Sequence, residues 1–353
     1  MPWLTFKAQG RIMKSVGPWR SDALANGQLF DLRLGSGKII IFISHPWWHD
    51  ALDDALTDPS GSSATVLPDG GAPDYQTPFV VRPDANAPGW KQFEPYERKD
   101  LKWRVVCAGV QRLIEQEALN AADVALWVDW QSLDQDDPEA RQRGARSLLA
   151  YATLSDYMLV PTEEVELRGF ATPEKLPGYG SRGWCRLECF AFSLWAEMQG
   201  REAQLYAIQR DGKLHHYPEV GMAEKSLPSG SALFEPTDCD LVKEMEDRMI
   251  EAYGHAIVEI QCQEAGRREI VDLYCRKLQP VHVASLVAAV KKHAVSRLDL
   301  YGNHLGAEGA AQLVVALEPI RTVSQLCLAD NGFGDSDKQA LHTAVGGRFD
   351  LHL

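Results

Sequence analysis

The chain contains 353 residues, of which 45% are hydrophobic and 24% are charged, and its formal net charge is −13. Its length allows two domains of about 150 residues each, and its composition is that of a globular protein. The negative charge argues against non-specific binding to nucleic acid or to anionic membranes, since both require a basic face.

The cysteines and the apolar segments exclude two further classes. The seven cysteines are scattered and odd in number, and no Cys-x-x-Cys pair occurs, so we expect neither a disulfide framework nor a metal site. The first residues lack a signal-peptide core, and no apolar run approaches the ~20 residues that cross a bilayer. A cytoplasmic location is therefore the default expectation.

Four short apolar segments predict buried β-strands. They cover residues 38–44, 123–128, 157–160 and 203–209. Segments with helical character lie between them, at residues 98–119, 138–154 and 180–200. Strands that alternate with helices predict an α/β fold built on a doubly wound parallel sheet.

The segments around this alternation are less regular. Residues 1–37 are an N-terminal extension that could supply a strand or a short ordered arm. Residues 57–97 are rich in Pro, Gly, Asp and Ser, which predicts a long insertion or loop. Residues 240–253 have helical character, and residues 256–260 resemble a strand. The first domain is predicted to span residues 38–265.

The carboxyl-terminal segment, residues 266–353, contains an internal repeat. The pattern Leu-x-Leu-x-x-Asn-x-Leu-Gly at residues 298–306 recurs, with Phe in the third apolar position, at residues 326–334. The offset of ~28 residues is typical of leucine-rich repeats. Each copy predicts a short strand, an asparagine-stabilised turn and a helix. The helices are expected at residues 307–317 and 335–345, with residues 280–292 as a preceding helix.

Polar residues follow the predicted strands at one edge of the sheet. Ser44 and His45 end the first strand, and Asp129 ends the second. Ligands of doubly wound sheets bind beyond the carboxyl ends of the strands. A binding site is therefore expected at this edge, near the helix that follows the third strand.

That helix carries an unexpected carboxylate. On a helical wheel, Arg186, Ser193 and Glu197 form the solvent-facing stripe. Glu188 points almost the opposite way, onto the apolar face. An ionised carboxylate is costly to bury, so Glu188 needs a partner or a task. We interpret it as the catalytic group of the chain.

Four motifs occur in an order that resembles one family. They are Ile-Phe-Ile-Ser-His-Pro-Trp-Trp at residues 41–48, Leu-Trp-Val-Asp-Trp-Gln-Ser-Leu-Asp-Gln at 126–135, Tyr-Ala-Thr-Leu-Ser-Asp-Tyr-Met-Leu-Val-Pro at 151–161 and Ser-Arg-Gly-Trp-Cys-Arg-Leu-Glu at 181–188. The set resembles the Toll/interleukin-receptor (TIR) superfamily, in its divergent branch with an Ile-Ser-His first strand and a Trp-Cys-x-x-Glu helix. The resemblance implies a flavodoxin-like fold for the first domain.

The resemblance also implies an activity. Many members of the family cleave the nicotinamide–ribose bond of NAD, and the glutamate of the helix motif is essential to them. That catalytic role would fall to Glu188, with NAD as the substrate and no bound cofactor. The predicted substrate-binding residues are Ser44, His45, Pro46, Trp47, Trp48, Asp129, Arg182 and Trp184.

Each of these residues also has a purely structural interpretation. Glu188 could form an ion pair with Arg182, and any of the tryptophans could be a core residue. Arg182 could contact a diphosphate at the helix N-terminus or lie in solvent. Ser44, His45 and Asp129 do not predict a catalytic triad, because adjacent side chains on a strand point to opposite faces.

Three functions follow in order of preference. The first is an NAD glycohydrolase in signalling or defence, activated by self-association through the TIR-like domain. The alternative is a non-catalytic TIR-like interaction module, since the fold alone does not settle function. The third is a glycosyl-transferase acting on another N-glycoside. In each case the leucine-rich segment is a candidate site for a protein partner.

Overall fold

The computed structural model describes residues 1–9, 22–26, 37–44, 101–128, 132, 137–161, 183–208, 213–216, 227–230, 238–265 and 270–353. The chain divides into two compact units. The first comprises residues 1–192, 203–219 and 231–234, and the second comprises residues 193–202, 220–230 and 235–353. None of the helices in the described ranges combines the length and the apolarity needed to cross a membrane.

The first unit is built on a five-stranded sheet. Its elements are α1 (Trp3–Gln9), β1 (Ile39–Ile43), α2 (Leu101–Gln116), β2 (Val124–Val128), α3 (Pro138–Arg146), α4 (Leu148–Thr153), β3 (Tyr157–Pro161), the start of α5 (Gly183–Met198), β4 (Leu205–Ile208) and β5 (Leu214–His216). The strand order is β2-β1-β3-β4-β5. The first four strands are parallel and β5 is antiparallel, so the predicted α/β fold is confirmed with a mixed sheet. The order is compatible with a flavodoxin-like fold.

Helices cover both faces of this sheet. On one face, Ile43 packs in a single cluster with Val106 of α2 and Phe6 of α1. On the opposite face, Trp127 of β2 stacks on Tyr151 of α4, with ring centroids 5.0 Å apart. Because the strands β1 to β4 are buried on both faces, their residues are apolar without the alternation of a half-exposed strand.

Part of the N-terminal extension belongs to the core of the first unit. The nitrogen of Met1 donates a hydrogen bond of 2.7 Å to the carbonyl oxygen of Leu126. Trp3 of α1 is 1% exposed and joins the cluster that covers the sheet. Residues 1–9 are therefore core elements and not an appendage to a domain that begins at residue 38.

The second unit has a four-stranded parallel sheet with helices following its strands. Its elements are α6 (Cys239–Ala265), β6 (Ile270–Asp272), α7 (Val283–His293), β7 (Arg297–Asp299), α8 (Gly306–Leu317), β8 (Gln325–Cys327), α9 (Asp335–Val345) and β9 (Asp350–His352). A short 3-10 turn, Pro280–His282, precedes α7. Beyond the two predicted repeats, the structure contains an earlier repeat that begins with β6 and a last strand, β9.

The two predicted asparagine turns are confirmed. Asn303 is 2% exposed, and its Nδ2 donates to the carbonyl oxygens of Leu273 and Leu300 at 2.9 and 2.8 Å. Its Oδ1 accepts a hydrogen bond of 2.9 Å from the N–H of Leu278. Asn331 repeats the arrangement, donating to the carbonyl oxygen of Leu300 at 2.8 Å. Each asparagine thus joins its own turn to the preceding repeat.

The first repeat has an arginine at the asparagine position. Arg276 occupies the place that Asn303 holds one repeat later, and its N–H donates to Oδ1 of Asn303 at 3.1 Å. Its guanidinium donates to Glu197 at 2.6 Å and to the hydroxyl of Tyr253 at 2.7 Å. The side chain at the asparagine position of the first repeat therefore bonds to α6 and to the end of α5.

The predicted strand at residues 256–260 is wrong, because these residues lie within the helix α6. The buried residues Tyr253, Ile257 and Val258 recur at helical spacing along the whole element. A window of five residues that contains Ile and Val favours a strand. The helical period of the buried residues becomes visible only when the whole segment from residue 239 is considered. Since α6 belongs to the second unit, the boundary also differs from the predicted division at residue 265.

The packing of α6 against the 3-10 turn depends on His282, which is 1% exposed. Its Nδ1 accepts a hydrogen bond of 2.8 Å from the N–H of Gln279, and its Nε2 lies 3.1 Å from the carbonyl oxygen of Glu251. A Cβ at Gly254 would stand 2.3 Å from Nε2 of His282, so glycine permits the contact. These partners require a neutral imidazole that carries its proton on Nε2.

Mild acid should destabilise the second unit through this histidine. Burial lowers the pKa of His282 below its ordinary value of 6.5, with the nearby His255 acting in the same direction. Below pH 6.5 the unfolded chain therefore binds the proton first, and stability falls until the folded pKa is reached. The loss is about 1.4 kcal/mol for each unit by which the pKa is lowered.

Urea unfolding at pH 7.5 and pH 5 would measure this loss. The variant His282→Gln should be less stable at both pH values, but its difference between them should be smaller than that of the original chain. Equal pH differences in the two proteins would contradict the assignment to His282.

Candidate functional site

Ser44 lies at the carboxyl edge of the first sheet. Its N–H donates to the carbonyl oxygen of Leu159 at 3.0 Å, which extends the pairing of β1 with β3 by one residue. Because side chains alternate along a strand, Ser44 shares a face with Phe42, whose register partner is Met158. The side chain is buried, with 1% exposure.

The first half of α5 packs on this same face. Sγ of Cys189 lies 3.7 Å from Sδ of Met158 on β3. Glu188 is the residue before Cys189, and it is half-buried. Connectivity through β3 therefore brings the predicted catalytic residue to the predicted edge of the sheet.

The hydroxyl of Ser44 donates a hydrogen bond to Oε2 of Glu188. The two residues are distant in the sequence, and neither motif alone predicts their contact. A buried hydroxyl that donates to a carboxylate fixes its orientation. The site thus presents a positioned carboxylate at the place where doubly wound folds bind their ligands.

The helical wheel gave the wrong orientation for α5. Arg186 is 0% exposed and Ser193 is 8% exposed, although both were predicted to face solvent. The partly exposed stripe is formed instead by Trp184, Glu188 and Trp195. A helical wheel separates the two faces of a helix, but it does not show which of them is exposed to solvent in the folded protein. The result leaves Glu188 half-buried and not enclosed in the core.

Arg186 was missed as a buried charge. Burial lowers the pKa of its guanidinium, yet an arginine remains protonated at neutral pH. It lies two residues before Glu188 on α5, at a spacing at which the two side chains do not share a face of the helix. The signal in the sequence is a single arginine among apolar residues of the helix. It would have indicated a buried charge if the exposed face of the helix had been assigned correctly.

The remaining predicted site residues divide into two sets. Trp184 is half-buried and lies one turn before Glu188 on the same stripe, at a spacing that places side chains about 5–6 Å apart at Cβ. Six others lie outside the described residues: His45, Pro46, Trp47, Trp48, Asp129 and Arg182. The structure therefore brings together Ser44, Trp184 and Glu188.

The described residues show neither a disulfide nor a metal-binding cluster. All seven cysteines lie in the described ranges and are free thiols. Across those ranges, no group of three or more His, Cys, Asp or Glu side chains is placed to hold a metal ion. No protein-family model, curated protein or solved structure matches the chain.

Proposed function

We propose that the first unit is a TIR-like domain of flavodoxin-like fold that cleaves the nicotinamide–ribose bond of NAD, with Glu188 as its catalytic residue. The observation that carries the proposal is the contact between Ser44 and Glu188. It places an oriented, half-buried carboxylate at the carboxyl edge of a mainly parallel sheet, where nucleotides bind in such folds.

A single carboxylate is sufficient for this reaction. The bond between C1′ of the ribose and the pyridinium nitrogen breaks, and its electron pair leaves with nicotinamide, which becomes neutral. The ribose passes through an oxocarbenium-like state, as in glycoside hydrolysis. Because the leaving group is already cationic, no general acid is required.

Glu188 acts on the charge that develops in this step. Its carboxylate holds the ribose hydroxyls and stabilises the positive charge at C1′. Water then attacks C1′ and releases a proton, which gives ADP-ribose. Trp184, one turn earlier on α5, offers an aromatic face for the nicotinamide or the adenine. We further propose that self-association through the first unit activates the enzyme.

Incubation of the full chain with NAD, followed by identification of the products by mass, tests the proposal. Nicotinamide together with ADP-ribose or its cyclic form is expected, at a rate that rises when the protein is concentrated. If neither turnover nor binding of NAD occurs in any oligomeric state, the non-catalytic interaction module is the better description.

Removal of the Ser44 hydroxyl should slow turnover without abolishing it. In Ser44→Ala the Glu188 carboxylate loses a hydrogen bond of a kind that contributes about 1.5–3 kcal/mol. We expect kcat to fall about 10- to 100-fold while KM changes little, because the Ser44 hydroxyl bonds Glu188 in this structure and the other predicted substrate-binding residues are unchanged.

Ser155→Ala is the matched control for this variant. Ser155 is 2% exposed and donates to the carbonyl oxygen of Tyr151 at 2.8 Å, so its loss removes an equally buried hydroxyl elsewhere in the first unit. Similar kcat values for the two variants would mean that Ser44 does not position Glu188.

A further inference from the structure

An aromatic ladder lies beside the sheet of the second unit. Tyr274 follows β6 and Tyr301 follows β7 at equivalent positions of successive repeats. Their rings are parallel within 4°, with centroids 4.9 Å apart. Tyr274 is 53% exposed, whereas the strand residue Leu298 and its equivalents point into the core. The tyrosines therefore stand on the side of the sheet that faces away from the helices.

The ladder stops after two rings. The N–H of Cys275 donates to the carbonyl oxygen of Tyr301 at 2.8 Å, and the N–H of Gly302 donates to that of Ala329 at 3.0 Å. Ala329 is thus related to Tyr301 as Tyr301 is to Tyr274. At Ala329 a methyl group takes the place of a third ring. This leaves a step in the ladder, next to the second face of Tyr301.

Carboxylates border this step in the ladder. Asp299 precedes Tyr301 on the same side of the chain, and its Oδ1 accepts the N–H of Tyr301 at 3.0 Å. Asp330 follows Ala329 and is exposed, with a left-handed backbone at φ 57°. Arg297 lies beyond Asp299, on the side away from Tyr301. Immediately around the step, the charge is therefore negative.

We propose that the step at Ala329 binds an arginine side chain from an extended segment of a partner protein. A guanidinium is planar, so it can continue the stack on Tyr301 while its N–H groups pair with Asp299 and Asp330. A lysine ammonium carries the same charge, but it has no planar group that could stack on the ring. A free amino acid is disfavoured, because its α-carboxylate would approach the same two aspartates.

Titration of the full chain with acetyl-Gly-Arg-Gly-amide tests this site. Protein labelled with ¹³C in its tyrosine rings would report binding by NMR, with the Tyr301 signal assigned from Tyr301→Phe. We expect the Tyr301 signal to shift and saturate. The lysine peptide and free arginine should bind several-fold more weakly, and the citrulline peptide, which lacks the charge, should not bind.

Ala329→Tyr is the decisive variant, because its own ring fills the step without changing any charge. It should weaken the arginine peptide at least tenfold, whereas Ala311→Tyr on the exposed side of α8 should leave the affinity unchanged. Asp299→Asn with Asp330→Asn should also weaken binding, unlike the neutralised pair Glu264→Gln with Glu318→Gln. Unchanged affinity in Ala329→Tyr, or equal binding of the arginine and citrulline peptides, would overturn the proposal.

Discussion

Glu188→Gln should reduce the turnover of NAD by at least about 10²–10³-fold, the range found when one preorganised electrostatic group is removed from an active site. Glutamine has nearly the same shape, and its amide oxygen can still accept the hydrogen bond from Ser44. The variant therefore removes the negative charge that stabilises the oxocarbenium-like state and preserves the packing of α5. Circular dichroism and thermal unfolding should be close to those of the original chain.

Glu115→Gln provides the matched comparison for this experiment. Glu115 is an exposed carboxylate on α2, where it accepts a hydrogen bond of 2.9 Å from Gln111. Nicotinamide release by this variant should equal that of the unmodified chain. If Glu188→Gln turned over NAD at the original rate, the carboxylate would have a structural role and the proposed mechanism would be excluded.

Asn303→Ala should cause the largest loss of stability in the second unit. The substitution leaves the carbonyl oxygen of Leu273 and the N–H groups of Arg276 and Leu278 without the side chain that they bond. The carbonyl oxygen of Leu300 keeps its hydrogen bond from Asn331. Each buried polar group that becomes unsatisfied costs about 1–3 kcal/mol. We expect a loss of about 3 kcal/mol or more and a fall in the unfolding temperature of about 10 °C.

Two further substitutions separate the contributions at this turn. Asn331→Ala should cost less, because Oδ1 of Asn331 accepts from the N–H of Leu305 at 3.2 Å, whereas Oδ1 of Asn303 accepts from two N–H groups. Asn303→Asp keeps these acceptor bonds but replaces the donor with a carboxylate oxygen that faces the same carbonyl oxygens, so it adds repulsion and a buried charge to the loss of the donor. Differential scanning calorimetry would rank the three. A cost for Asn331→Ala that equals or exceeds that of Asn303→Ala would contradict this account.

The four parallel strands of the first sheet could be predicted because they are uniformly apolar, whereas β5, with the sequence Leu-His-His, could not. A segment such as residues 124–128 is buried on both faces, so every side chain carries the same signal. The asparagine turns were equally predictable from the sequence, since Asn303 and Asn331 occupy the same position in the two copies of the repeat. In both cases the local sequence and the tertiary structure require the same residues.

The orientation of α5 could not be predicted in the same way. Arg186 and Ser193 are polar yet buried, and only the surrounding elements determine which stripe remains open. The contact between Ser44 and Glu188 depends on the pairing of β1 with β3, which no local pattern encodes. What the sequence did indicate is the edge of the sheet at which these residues meet.

The strand and turn of the first repeat were not predicted, because the asparagine of the later repeats is replaced. Arg276 stands at the asparagine position, and Val271 and Leu273 alone are too common to define a repeat. The alignment becomes evident once β6 is seen to pair in register with β7. The substitution has a structural cause, because the arginine bonds Glu197 and Tyr253 and has no earlier turn to support.

The helix that carries Glu188 belongs to the first unit up to residue 192 and to the second from residue 193, and the chain returns to the first unit at residue 203. No single cut in the polypeptide therefore yields two fragments that each contain one whole unit. A truncation after residue 265 would leave α6 without the rest of the second unit, and a truncation after residue 192 would split α5 and remove residues 203–219 of the first unit. Exchange of one unit between proteins therefore requires more than one junction in the polypeptide.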